Sequence, residues 1–289
     1  MLELQKKLVA LATGLALAAS TGVSHAQEPV PQQPVTQQPV MQEPAAPPPA
    51  APKPFLAFTA RRMVLPERTL LPYSHLLVAP ASTPQGSTSI GLNIGMMYGF
   101  GSGWMLDAVF APLKLASAFS YGNPELALTR EIIRSKPFEL SVSTRALFRS
   151  NIADGGPLGG FELGVPMFFR LGERFRLDVA AYLPFSVSQR PIGALGVTRA
   201  GLRAPMAFYY QVHPNFLVAL GTGLNARELS DVSGTFSVPV SFNVGFNTNI
   251  NGFWLDVFPY VALPAFYSQA GVNMKAVAIG LFVDVARRL

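Results

Sequence analysis

Between Phe236 and Asn247, six large apolar side chains alternate without a break with smaller or polar ones. Phe236, Val238, Val240, Phe242, Val244 and Phe246 form one set, and Ser237, Pro239, Ser241, Asn243, Gly245 and Asn247 the other. A period of two places the sets on opposite faces of a β-strand. The same pattern runs through Ile90, Leu92, Ile94, Met96 and Tyr98, through Phe138, Leu140 and Val142, and through Phe161, Leu163, Val165, Met167 and Phe169. Soluble sheets average about five or six residues per strand. Repeated strands of ten or more, apolar on one face only, predict a lipid-facing exterior and a polar interior.

Composition points the same way. Of 289 residues, 49% are hydrophobic and 13% charged, against about 25% charged in an ordinary soluble domain. The one apolar run that could suggest a helix, Leu8 to Ala19, is shorter than the ~20 residues needed to span a bilayer, so a membrane crossing must be made by strands. The absence of cysteine excludes disulfides and thiolate metal sites. Lys and Arg exceed Asp and Glu by 22 to 16, but they are scattered, which predicts no nucleic-acid partner.

Residues 1–26 read as a cleaved signal peptide. Lys6 and Lys7 precede the apolar run, and Ser24-His25-Ala26 supplies small residues before Gln27. Residues 27–54 contain ten prolines and six glutamines and predict a disordered periplasmic linker with polyproline character. Residues 55–67 form a lead-in, and 68–289 the barrel.

The connections alternate in length. Short turns are expected at Gly101–Gly103, Arg134–Pro137, Gly172–Arg174, His213–Asn215 and Thr248–Gly252. Longer links are expected near 116–124, 149–160, 188–200, 226–233 and 264–272. A first strand over Arg68–Ala79 and a last over Val272–Val285 bring the count to twelve, an even number that leaves both mature termini on the periplasmic side. Aromatic residues near both sets of turns suggest two interfacial belts. The expected fold is all-β, a closed antiparallel up-and-down transmembrane barrel of about twelve strands. Pro166, Pro205, Pro239 and Pro259 fall inside it, where bulges or kinks are expected.

On these segments the chain resembles the outer-membrane β-barrel proteins of Gram-negative bacteria, over about residues 68–289. The resemblance implies an outer-membrane location, contact with outer-membrane lipid and lipopolysaccharide, and handling by the barrel-assembly machinery. Loop arginines such as Arg149, Arg190 and Arg227 are ordinary exposed basic residues. The chain departs from the family pattern at its last residue, Leu289, where the family usually has an aromatic.

Three rising strands carry the repeat Leu106-Asp107, Leu177-Asp178 and Leu255-Asp256, with Leu outward and Asp inward. Glu139, Arg145, Glu162, Arg170, Arg176 and Arg203 share the inward phase. Such a lining is either a salt-bridge network that holds the wall together or a surface that selects charged or polar solutes. Inward glycines, among them Gly95, Gly164 and Gly280, leave room for a ligand or allow tight curvature. An enzyme finds little support. His213 lies in a turn, and Ser74 and His75 point to opposite faces. No cofactor motif is present. The function expected is a narrow channel or transporter for small solutes. The alternatives are a non-conducting structural or adhesive barrel and, further off, a lipid-modifying enzyme.

Overall fold

The alternating segments are strands, and each pairs with the next along the chain until the last meets the first. The structure, a computed structural model, describes residues 57–81, 86–116, 119–149, 158–187 and 200–289. The segments expected to be a signal peptide (1–26) and a proline-rich linker (27–54), together with Arg190, lie outside the described residues.

The twelve long strands are β1 (Thr69–Ala79), β2 (Ser89–Gly101), β3 (Trp104–Lys114), β5 (Glu125–Arg134), β6 (Phe138–Phe148), β7 (Leu158–Arg170), β8 (Phe175–Ser186), β9 (Leu202–His213), β10 (Phe216–Ala226), β11 (Phe236–Ile250), β12 (Phe253–Ser268) and β14 (Ala278–Arg288). Two-residue strands, β4 (Ser120–Tyr121) and β13 (Gly271–Val272), extend β3 and β12 within the long connections. All pairings are antiparallel, and β1 with β14 closes the cylinder from Thr69↔Arg288 to Val78↔Ile279. Closure leaves no unpaired edge, as a β-structure in hydrocarbon requires.

The outer wall is apolar: Leu163, Leu220, Phe242, Phe246, Val261 and Ile279 are each exposed by 47% or more. The inner wall buries Glu139, Glu162, Arg176, Gln211, Asn247, Asp256 and Asp284. This inversion of a soluble core is the arrangement a bilayer stabilises. Among the described residues no helix is long and apolar enough to cross a membrane. Trp104, Phe175, Phe208, Phe216 and Phe253 lie on the outer wall near the short turns. Phe168, Tyr182, Tyr209, Trp254 and Tyr260 do not join the belts, because each takes the inward phase of its strand.

The turn geometry explains the strand ends. Ile250 and Phe253 are joined by Asn251 and Gly252, both at positive φ (52° and 85°), the pair preferred for a tight two-residue hairpin. That turn lets β11 run to Ile250, so the expected turn over Thr248–Gly252 contracts to two residues. A second difference lies at the C-terminal end. β12 continues to Ser268 and folds back at Gly271 (φ 88°), so the expected last strand over Val272–Val285 is corrected to Ala278–Arg288. Val277 precedes it.

Each of the four prolines expected to disturb the strands lies beside an interruption in one of its ladders. The β6–β7 ladder breaks between Leu140↔Met167 and Ser143↔Gly164, beside Pro166. The β8–β9 ladder breaks between Val179↔Met206 and Tyr182↔Arg203, beside Pro205. β11 and β12 shift register at Pro239 and skip a stretch beside Pro259. With no N–H to donate, proline leaves the facing carbonyl without its ladder partner.

Candidate functional site

The lumen is the site, and its charged residues form two separate groups. The lower group, at the short-turn end, encloses the lead-in. Residues Phe58–Ala60 make one 3-10 turn, and the chain then passes through the barrel mouth with Thr59 and Val64 each only 1% exposed. The Arg61 guanidinium donates to both carboxylate oxygens of Asp256, one at 3.0 Å. It also lies over the Trp254 ring at 5.3 Å. Asp256 on β12 faces Asp284 on β14 across the ladder, so Arg61 supplies the positive charge between two adjacent buried acids.

Backbone contacts complete the grip. The Arg61 carbonyl accepts from Arg170 and from Arg176, each at 3.2 Å. Arg170 pairs with Glu139 at 3.3 Å, and Glu139 accepts from the Met63 N–H at 3.2 Å. Arg176 and Asp178, two residues apart and so on one face of β8, share two hydrogen bonds of 2.5 and 2.9 Å. Phe168, fully buried, lies beneath both guanidiniums at 4.9 and 4.4 Å. The Thr59 hydroxyl donates to the Glu173 carbonyl at 3.2 Å. Phe58 packs on Tyr209 and Phe258, with ring centroids 5.0 and 5.3 Å apart.

The upper group lies toward the long connections. Arg145 pairs with Glu125 at 2.8 Å and lies 3.9 Å from Glu162, which also accepts from Arg203. The Glu162 side chain is 2% exposed, while those of Arg145 and Arg203 are 32% and 34% exposed. Asp107 accepts from the Tyr73 hydroxyl at 2.8 Å. The nine inward charges named from sequence thus divide. Glu139, Arg170, Arg176, Asp178 and Asp256 gather around the lead-in, whereas Asp107, Arg145, Glu162 and Arg203 line the wall beyond it.

Sequence reading missed Arg61, whose segment has no strand periodicity, and gave no role to Glu125, Tyr73 or Asp284. One signal was available. Apart from Arg134 and Arg288 at the rim, the inward phase holds Asp107, Glu125, Glu139, Glu162, Asp178, Asp256 and Asp284 against Arg145, Arg170, Arg176 and Arg203, a deficit of cations that a residue from outside the wall can offset.

The inward glycines have a packing role. A Cβ at Gly95, Gly164 or Gly280 would collide with the ring of Tyr73, Tyr182 or Tyr260 on the neighbouring strand. Each tyrosine lies flat across its glycine, which keeps the rings against the wall. Gly164→Val is therefore expected to destabilise the barrel by about 1–3 kcal/mol, measured as a lower midpoint for loss of the folded, heat-modifiable band; an unchanged midpoint would contradict the cradle.

Two histidines lie among the described residues. His75 faces inward with Nε2 2.6 Å from the Tyr260 hydroxyl, and His213 Nδ1 accepts from the Asn215 N–H at 3.3 Å within a turn. Among the described residues no three His, Cys, Asp or Glu side chains are grouped to hold a metal.

No protein-family profile and no curated protein matches the chain. Solved structures do. The NanC porin is 9% identical, with 75% of this chain and 100% of that one covered and a TM-score of 0.51. The KdgM porin is 8% identical over 76% and 99%, with a TM-score of 0.48. An outer-membrane channel from Pseudomonas putida F1 is 12% identical over 82% and 98%, with a TM-score of 0.46. At 9% identity the likeness to the NanC porin speaks to architecture alone, and the chain is a closed twelve-stranded barrel built like that porin, with no subfamily distinguished.

Proposed function

We propose that the protein is an outer-membrane channel for small polar solutes whose short-turn mouth is narrowed by its own residues 58–64. The observation that carries this reading is the contrast between the two halves of the lumen. The lead-in and its partners fill one end, while at the other Arg145 and Arg203 remain about one-third exposed to the interior. Guanidiniums left partly open to the lumen keep N–H donors beyond those their ion pairs use, and these can meet a polar solute. On this reading the short turns and the N-terminal tether face the periplasm and the long connections face outward. Small solutes enter from the outside and meet the lead-in last.

The experiment is single-channel recording in planar bilayers with the full chain and with Arg61→Ala. Small, infrequent steps are expected from the native protein and larger ones from the variant. Silence from both would favour a non-conducting structural barrel instead.

A further inference from the structure

We propose that the rim of the barrel at the short-turn end carries a phosphate-binding pocket, separate from the ion pairs that hold the lead-in and independent of whether the lumen conducts. A cavity of about 660 Å³ opens there between β1, β5, β12, β14 and the turn that follows β2, a size within the range of about 300–1,000 Å³ that ligand sites occupy. Five arginines line it, Arg62, Arg130, Arg134, Arg287 and Arg288, against the two acids Glu67 and Glu131, so its walls carry an excess of three positive charges. One acid is already engaged, since Glu131 lies 3.9 Å from Arg134.

Two of the guanidiniums are held in fixed orientations. Arg130 stacks on the Trp104 ring at 5.1 Å and donates to the Ser102 carbonyl, and Arg287 stacks on Phe253 at 4.8 Å. Stacking fixes the plane of a guanidinium and leaves edge N–H groups directed sideways, the geometry that takes two oxygens of a phosphate at once. The rings themselves fix the height. Trp104 and Phe253, 39% and 37% exposed on the outer wall, belong to the aromatic level that sits among lipid headgroups. From there the positive surface passes over the rim, because Arg134 and Arg288 take the inward phase of their strands opposite Glu139 and Thr69. The pocket therefore meets phosphates from two directions: headgroups of the adjoining leaflet at its outer edge, and free phosphate at its inner one.

The test uses the full chain and the double variant Arg130→Gln/Arg287→Gln. In vesicles of phosphatidylcholine containing phosphatidylglycerol, lipid retained by the extracted native protein is expected to be enriched several-fold in phosphatidylglycerol, and the enrichment is expected to vanish in the variant. In detergent, inorganic phosphate is titrated against chloride at equal ionic strength and the thermal midpoint is followed. Enrichment without a phosphate-dependent midpoint assigns the pocket to lipid, and the reverse assigns it to free phosphate. Neither effect in the native protein overturns the proposal, as does either effect persisting undiminished in the variant. Should that variant fail to fold, judged by heat-modifiable migration, Arg134→Gln/Arg288→Gln is read in its place.

Discussion

Arg61→Ala is expected to raise the open probability of the barrel by two orders of magnitude or more. The guanidinium is the cation paired with Asp256, 2% exposed, while Asp284, 6% exposed, faces that residue on the adjoining strand. Removing one partner of a buried pair costs about 3–5 kcal/mol, and each 1.4 kcal/mol is about a tenfold change in an equilibrium. That cost is relieved when the lead-in leaves and water reaches the acids, so the variant shifts toward an open mouth. Bilayer recordings read the effect directly. The double variant Arg61→Ala/Asp256→Asn separates closure from stability: lowering the acid charge should recover part of the thermal midpoint while the mouth stays open. A double variant that opens as rarely as the native chain would remove Arg61 from the mechanism.

Glu162→Ala is expected to produce the largest loss of stability of any single change in the upper lumen. Glu162 is nearly fully buried between Arg145 and Arg203. Without it two guanidiniums converge on an empty site, and only Arg145 keeps another carboxylate, that of Glu125. The loss expected is about 1–3 kcal/mol, because the two guanidiniums left behind are partly open to water, seen as a lowered unfolding midpoint in detergent. Glu162→Gln keeps an acceptor for both arginines and should lose less. If these side chains line a conducting path, both variants also move the reversal potential toward anions. A selectivity shift in Glu162→Gln without a large change in midpoint would mark the residue as lining rather than buttress.

The strands were legible because their chemistry repeats every second residue and each face meets a different solvent. Phe236 to Phe246 lie outward and Asn243, Gly245 and Asn247 inward, as the period alone predicts. Where the period fails, so does the reading. β12 passes Pro264 and reaches Ser268 with a shifted register, and nothing in the alternation of Val261 to Tyr267 marks that shift. The lead-in was illegible for a different reason. Phe58, Arg61 and Met63 are held by residues of β6, β7, β8, β9 and β12, contacts that span from 76 to 195 positions in sequence and leave no local periodicity. Likewise the glycines at 95, 164 and 280 announce small side chains on the inner wall, but their reason is a tyrosine on the next strand, which only the register reveals.

Residues 58–64 come before the first strand in the chain, yet their partners are spread over half the circumference, as late as Asp256. A stopper that leaves the ribosome ahead of its bottle has nowhere to sit until β6 to β12 stand side by side. Its seating therefore follows the pairing of strands made long after it.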